Sequence, residues 1–235
     1  MKRRAFVNAL AATATSGLLA GCNSQGSEGA RKLIGAIGRR NEGLERALFS
    51  PGSRDHVSRS AKLTGTAFPR YWVSREMPVW DSAMRGVWRL EIGGAVKHPL
   101  SFSLDELVAL RRTTERHNHY CVEGWTARAE FTGVRVAELA RLVEPMPDAE
   151  FVDFLSFDNA YHESWDLDSA LHPQTIVAYA MDGHMLNAGA GAPARVHSPI
   201  KLGYKNTKYL TKVMFLPKAT GGYWSDRGYE WYGGL

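Results

Sequence analysis

The segment RHNHYCVEGW, residues 116–125, contains Cys121, one of only two cysteines in the 235-residue chain. The other, Cys22, closes an N-terminal stretch that is typical of an export signal. The folded part of the chain therefore holds a single cysteine with no partner, which excludes a disulfide scaffold. What Cys121 does is the main question that the sequence poses.

Three interpretations of Cys121 are open from the residues alone. It could be a buried thiol that packs as a small apolar side chain. It could be a nucleophile paired with a histidine, although His117 and His119 would share one face of a strand without forming an oriented dyad. It could be a metal thiolate, which the polar and basic neighbours would favour over a packed thiol. These neighbours are Arg116, His117, His119 and Glu123.

Residues 1–21 have the pattern of a bacterial signal peptide. Basic residues precede an uncharged stretch that is too short and too rich in small residues to span a membrane. The Arg3-Arg4 pair resembles a twin-arginine signal, and Leu-Ala-Gly-Cys at 19–22 resembles a lipobox. We expect acylation of Cys22 and a protein that only this lipid anchor holds to the membrane, on the periplasmic side of the bacterial cell envelope.

Charge and composition narrow the class of protein. Of the formal net charge of +5, three positive charges belong to Lys2, Arg3 and Arg4, which leaves +2 for the rest of the chain. This near balance indicates that nucleic acid is not a partner. Seven Trp, nine Tyr and nine Phe provide enough large apolar side chains for a substantial core.

Residues 22–66 are rich in Gly, Ser and Arg and predict a lipid-anchored tether. Apolar residues within it could line one face of a short helix, interrupted by Gly35, Gly38 and Gly43. These apolar residues are Leu33, Ile34, Ile37, Leu44, Ala47 and Leu48. The folded unit is predicted at 67–235.

Within residues 67–235 the pattern favours strands over helices. A capping box at Ser103-Leu-Asp-Glu106 predicts the start of a helix, helical spacing from Val136 predicts a second one that stops before Pro145, and Asp182-Gly183 predicts a hairpin turn. Strands are predicted near 87–92, 151–157, 175–180, 195–197 and 209–215. Because these elements do not alternate regularly, we expect a mixed α+β domain.

Three segments, in this order, resemble the molybdopterin-binding domain of the sulfite oxidase family, and most closely its small bacterial periplasmic members. They are CVEGW at 121–125, GAPAR at 191–195 and PIKLGYKNTK at 199–208. The resemblance implies a mixed-sheet domain of the sulfite oxidase type. It also implies molybdenum-molybdopterin as the cofactor, with the metal held by two dithiolene sulfurs and the thiolate of Cys121.

The resemblance extends to further site residues. The cofactor-binding set that it implies is Cys121, Ser74, Arg75, Ser156, Arg195, Lys205, Asn206, Thr207 and Lys208. The cations of this set suit the terminal phosphate of the pterin, although Lys201 and Lys205 could equally be solvated surface charges. We expect His119 to have a catalytic role beside the substrate, and other candidates to face the substrate are His117, Arg128, His162 and His197.

The implied activity is the transfer of an oxygen atom and two electrons between the molybdenum centre and a small oxo substrate. The chain has neither a Cys-x-x-Cys-His haem motif nor cysteines for an iron-sulfur cluster. We therefore expect an external electron carrier, either a membrane or a soluble cytochrome. The alternative is a cofactor-free envelope lipoprotein that serves as a binding or assembly module, in which Cys121 is simply buried.

Overall fold

A computed structural model describes residues 28–48, 54–55, 57–158 and 161–235. The predicted signal peptide and the predicted acylation site at Cys22 lie outside the described residues. The chain divides into two compact units, Met1–Leu48 and Phe49–Leu235. Among the described residues, no helix is both long and apolar enough to cross a membrane.

The described part of the first unit is one helix, α1 (Glu28–Leu48). It runs without a break through Gly35, Gly38 and Gly43, which the sequence had suggested as interruptions. A glycine inside a helix costs only about 1 kcal/mol and keeps its backbone N–H, so it weakens a helix without ending it as proline does.

The described residues of the second unit form two five-stranded sheets. The first has the strand order β2-β1-β10-β5-β6, and β1 and β10 are parallel while the other pairs are antiparallel. Its strands are β1 (Arg89–Gly94), β2 (Leu100–Ser103), β5 (Phe151–Ser156), β6 (His162–Asp166) and β10 (Leu210–Leu216). The mixed sheet confirms the predicted α+β class.

The second sheet is antiparallel and has the order β3-β4-β7-β8, and β9 pairs with residues 176–178 of β7 on the same edge as β8, opposite β4. Its strands are β3 (Thr113–Tyr120), β4 (Thr126–Arg135), β7 (Ile176–Met181), β8 (His184–Met185) and β9 (Arg195–His197). Asp182 and Gly183 form the turn between β7 and β8 with φ angles of 52° and 82°, which confirms the predicted hairpin.

The α-helices of this unit are short. They are α2 (Ser82–Arg85), α3 (Leu104–Ala109), α4 (Val136–Val143) and α5 (Leu167–Ala170). Two of them, α3 and α4, were predicted from the sequence. At the start of α3, Ser103 Oγ accepts a hydrogen bond from the Glu106 N–H, and the Ser103 N–H donates to the Glu106 carboxylate at 2.6 Å. The predicted capping box is therefore confirmed.

The core consists of two apolar clusters. The larger one packs the first sheet against α3, α4 and the second sheet, and it includes Leu90 and Phe215 of the first sheet, Leu139 of α4, and Val134 and Val177 of the second sheet. The smaller one lies on the second sheet and consists of Phe68, Ala127, Ala129, Phe131, Ile176 and Ala178.

The residue pattern predicted no strand at β2, β3, β4 or β6. The inward positions of β3 near its end are His117 and His119, which are 0% and 7% exposed, so polar residues occupy places where a pattern search expects apolar ones. The predicted tether also contributes to this sheet. The N–H of Asn118 donates to Asp55 Oδ2 at 3.0 Å, and the N–H of Arg128 donates to Thr64 Oγ1 at 2.7 Å.

Candidate active site

A cleft of about 290 Å³ lies within the second unit. Its walls come from the segment before β1, the end of β3 with the loop that follows, and the end of β5. The turn at residues 203–209 and the C-terminal tail complete it. Of the sequence-predicted site residues, the cleft brings together Cys121, His119, Ser156, Arg195, Asn206 and Lys208.

Cys121 is the first residue after β3 and lies in the tight loop that leads to β4. Its N–H donates to the Trp125 carbonyl at 3.0 Å, and the Gly124 N–H donates to the Cys121 carbonyl at 3.0 Å. Gly124 has a φ of 85°, a conformation that glycine adopts without strain. The backbone of the loop thus holds a partly exposed thiol at the cleft.

The surroundings of Cys121 differ from the sequence-based expectation. Partial burial raises the pKa of the thiol, and the Glu123 carboxylate, whose Oε2 lies 4.0 Å from Sγ, raises it further. Arg116 does not lower it, because its guanidinium pairs with Glu130 on the neighbouring strand. The free thiol is therefore protonated, and a bound metal cation is the kind of partner that would convert it to a thiolate.

Three histidine rings stack beneath the cleft. The ring centroids of His117 and His197 are 4.6 Å apart, and those of His119 and His197 are 5.3 Å apart. Burial lowers the pKa of His117 to about 4 and that of His119 to about 3, and it holds the pKa of His197 well below its usual value. All three rings are neutral near pH 7, and among them only His119 lines the cleft.

Arg195 places a buried guanidinium against the cleft. It donates to the carbonyl oxygens of Ala190 at 3.1 Å and Asn206 at 3.4 Å, and it lies over the ring of Phe131. Burial lowers its pKa to about 10. No carboxylate pairs with it among the described residues, so its charge is available to an anionic ligand.

Lys208 adds a second cation to the same cleft. Its Nζ donates to the carbonyl of Gly189 at 2.9 Å and to that of Tyr71, and burial, followed by the charge of Arg195, lowers its pKa to about 7. Lys208 packs directly on Gly191, where an added Cβ would lie 2.8 Å from the lysine Cβ. The glycine of the Gly-Ala-Pro segment therefore leaves room for this lysine.

Asn206 and Ser156 line the cleft, and their side chains form hydrogen bonds with the neighbouring backbone. Asn206 Oδ1 accepts from the Ser198 N–H at 2.7 Å, and its Nδ2 donates to the carbonyls of Lys201 and Leu202. Ser156 Oγ accepts from the Asp158 N–H at 2.8 Å. Thr207 is fully buried beside them and does not line the cleft, and its Oγ1 has no hydrogen-bond partner among the described residues.

Several predicted site residues lie elsewhere. Lys205 forms a buried ion pair with Glu163, and Lys201 is buried against Asp166 and the Tyr232 carbonyl, so neither is a solvated surface charge and neither lines the cleft. Ser74 donates its hydroxyl to Asp158, and Arg75 is exposed. The reason in each case is a carboxylate or an open surface nearby, which sequence spacing does not reveal.

The other substrate-facing candidates are also outside the cleft. Arg128 is exposed on the outer side of β4, and His162 pairs with Asp153 at 3.3 Å, which raises the pKa of that imidazole. No role was predicted from the sequence for the aromatic side chains that line the cleft, although Trp125 and Tyr204 lie within the segments CVEGW and PIKLGYKNTK. This aromatic wall includes Tyr71, Trp72, Trp125, Tyr204, Trp224 and Tyr229.

The donors around the cleft fit a metal-containing, anionic cofactor. Cys121 offers one soft ligand atom, the buried Arg195 and the partly buried Lys208 offer two basic groups, and His119 Nδ1 is buried with no hydrogen-bond partner among the described residues. Among those residues no group of three or more His, Cys, Asp or Glu could hold a metal ion by itself. A metal here would need most of its ligands from outside the protein, as from a dithiolene.

This fold and this site define an oxidoreductase that binds molybdopterin, and comparisons with known proteins agree. The family profile for the oxidoreductase molybdopterin binding domain matches residues 76–224. A protein of Azospira oryzae with the provisional name protein-methionine-sulfoxide reductase subunit YedZ1 is 36% identical over 233 residues, 99% of this chain and 87% of that protein. The chain belongs to the sulfite oxidase family of molybdopterin-binding oxidoreductases.

Other similarities cover less of each protein. The protein-methionine-sulfoxide reductase catalytic subunit MsrP of Ralstonia nicotianae is 31% identical over 161 residues, which is 62% of this chain and 49% of that protein. The chain thus spans about half the length of MsrP. The crystal structure of the sulfane dehydrogenase SoxCD from Paracoccus pantotrophus matches with a TM-score of 0.54 and 22% identity, over 57% of this chain and 39% of that one. At this identity the likeness concerns the fold.

Proposed function

We propose that the protein is a molybdenum-dependent oxidoreductase that exchanges an oxygen atom and two electrons with a small oxo substrate. The observation that carries this proposal is the juxtaposition of one thiol, Cys121, with two basic side chains, the buried Arg195 and the partly buried Lys208, in a single cleft. The family to which the chain belongs binds molybdopterin. In this proposal Cys121 is the thiolate ligand of molybdenum.

Arg195 and Lys208 would hold the phosphate of the pterin. Burial lowers the pKa of both side chains, because a cation that has lost water is poorly stabilised. A bound anion would restore this stabilisation through charge-assisted hydrogen bonds. Asn206 fixes the turn that precedes Lys208 and so keeps the two cations at the same wall.

His119 would orient the substrate. Its pKa of about 3 makes it a neutral imidazole at physiological pH, so it can donate one hydrogen bond to an oxo group but does not carry a proton as an imidazolium. The aromatic wall would exclude water around that hydrogen bond and strengthen it. When bound, the molybdenum cofactor supplies the two-electron oxygen-atom transfer.

A sulfoxide is the first substrate to test, because two of the similar proteins are named as methionine sulfoxide reductases. The electrons would come from an external carrier such as a membrane or soluble cytochrome, because the sequence contains no Cys-x-x-Cys-His motif and no cysteine beyond Cys22 and Cys121. The site of action would be the periplasmic side of the bacterial envelope, reached by a twin-arginine signal and held by acylated Cys22.

Metal and pterin analysis of the natively exported protein tests the proposal. We expect about one molybdenum per chain and a fluorescent pterin after oxidation, followed by reductant-linked turnover of a sulfoxide. Protein that is exported and folded but contains neither molybdenum nor pterin would overturn the proposal and favour a binding or assembly module. Cys121→Ser is the matched variant, since it replaces only the sulfur, and we expect it to abolish turnover and lower the molybdenum content.

A further inference from the structure

Helix α1 (Glu28–Leu48) exposes a stripe of large apolar side chains. Leu33, Ile37, Leu44 and Leu48 are between 53% and 75% exposed. At 100° per residue these four positions fall within about 60° of the helix circumference. Large apolar residues at such spacing ordinarily lie against another apolar surface, and the oxidoreductase site gives this stripe no role.

The charge of the helix indicates what that surface is. Residues 28–48 include five Lys or Arg and three Glu, a net charge of +2. Lys32 is exposed and lies about 140° around the helix from Ile37. A helix with an apolar stripe, basic residues and no capacity to span a bilayer has the properties of a helix that lies in the membrane interface, and its net charge complements anionic lipids.

The position of the helix along the chain agrees with this partner. Only five residues separate Cys22, the predicted acylation site, from Glu28. Fully extended, this linker reaches about 20 Å, so acylation of Cys22 would keep the start of α1 close to the bilayer surface. An acyl chain and an apolar helix reinforce each other, because membrane attachment becomes stable when two modest contacts act together.

We propose that α1 lies in the plane of an anionic bilayer surface, with Leu33, Ile37, Leu44 and Leu48 inserted among the lipid acyl chains. The helix is then a second membrane contact besides the lipid anchor. This role is separate from the oxidoreductase chemistry and does not depend on the cofactor.

Site-specific photocrosslinking in the full-length, natively exported protein tests this contact. A diazirine-bearing amino acid replaces Ile37 on the stripe or, as the matched control, Lys32. The protein is illuminated in vesicles of phosphatidylethanolamine and phosphatidylglycerol, and mass spectrometry identifies the adducts. We expect lipid adducts at position 37 and at least about tenfold fewer at position 32.

A second pair of variants separates the stripe from the anchor. With the photoreactive residue kept at position 37, Leu33→Glu combined with Leu44→Glu should lower the yield of lipid adducts about tenfold, whereas Leu33→Ile combined with Leu44→Ile should preserve it. Equal lipid adducts at positions 32 and 37, protein adducts to a second copy of the chain, or no lipid adducts would each overturn the proposal. Molybdenum content is independent of every one of these results, so this proposal and the proposed function can fail separately.

Discussion

Lys205 Nζ lies 2.5 Å from Glu163 Oε2, and neither side chain has any exposed surface. Burial shifts both groups towards their neutral forms, since it lowers the pKa of Lys205 and raises that of Glu163. The pair therefore contributes little net stability, although each partner makes the burial of the other tolerable. Lys205 lies two residues from Thr207 and three from Lys208. The ion pair therefore anchors the buried side of the turn at residues 203–209, whose opposite side lines the cleft.

We predict that Lys205→Met destabilises the protein by about 3–5 kcal/mol, because it leaves the Glu163 carboxylate buried without a counter-charge. The double variant Lys205→Met, Glu163→Gln should recover most of this loss. Urea-induced unfolding of the three proteins measures both values. A single variant as stable as the unsubstituted protein would show that the carboxylate does not depend on Lys205.

A second prediction concerns the pH dependence of stability. Burial lowers the pKa of Lys201 from 10.5 to about 7, so between these pH values the folded protein binds fewer protons than the unfolded chain. The contribution of Lys201 to the free energy of unfolding should therefore rise with pH across this window, by up to about 1.4 kcal/mol per pH unit, and stay constant below pH 7.

The matched variant is Lys201→Met, which keeps the length of the side chain and removes its titration. Unfolding by urea at several pH values between 7 and 10 should give a smaller rise with pH for the variant than for the unsubstituted protein. Identical slopes for the two proteins would mean that Lys201 remains charged in the folded state.

These buried lysines show where sequence reasoning stops. The capping box at Ser103, the hairpin at Asp182 and the α+β class depend on local geometry or on residue spacing, and all three could be predicted. The partner of Lys205 comes from β6, 42 residues away, and no local pattern identifies it. The same limit applies to β3. Its buried positions near the end of the strand are His117 and His119, so the segment lacks the alternating apolar residues that predict a half-buried strand.

The candidate site likewise has features that the sequence predicted and features that only the fold reveals. The segments around Cys121, Arg195 and Lys208 were found because each is a short motif that the family shares, and all three meet at the cleft. The raised pKa of Cys121 could not be predicted, because it depends on how far the loop is buried and on the distance to Glu123. The aromatic wall combines residues from both ends of the second unit, which only the fold brings together.

A third prediction follows from the lowered pKa of Lys208. Near its pKa of about 7, this lysine must take up a proton when an anion binds, so anion affinity should fall as pH rises above 7, by up to about tenfold per pH unit. Sulfate is a suitable probe because it does not titrate in this range. Calorimetric titration of the cofactor-free protein with sulfate, in buffers of different ionisation enthalpy, measures the affinity and the proton uptake.

Lys208→Arg provides the control for this measurement. Arginine stays charged throughout the range, so the variant should bind sulfate with no proton uptake and with little dependence on pH. Lys208→Met should bind weakly at every pH. Proton uptake by the arginine variant equal to that of the unsubstituted protein would assign the titration to a different group.

The last prediction concerns the support of His119. A Cβ added at Gly203 would lie 2.8 Å from His119 Nε2 and 3.4 Å from the Tyr120 carbonyl, and His119 is only 7% exposed, so its ring has little room to move. Gly203→Ala should therefore displace the imidazole that we propose orients the substrate. We expect kcat/KM to fall about tenfold or more with little change in molybdenum content.

Gly38→Ala is the matched control, because a Cβ at Gly38 meets no atom within 4 Å and the change should leave turnover unaffected. His119→Gln tests the contact between Gly203 and the His119 ring by changing the ring instead of the glycine. A glutamine amide can still donate a hydrogen bond but lacks the ring, so Gly203→Ala should cost much less activity in that background than in the unsubstituted protein. If the two effects were additive, Gly203 would act on the site by a route other than His119.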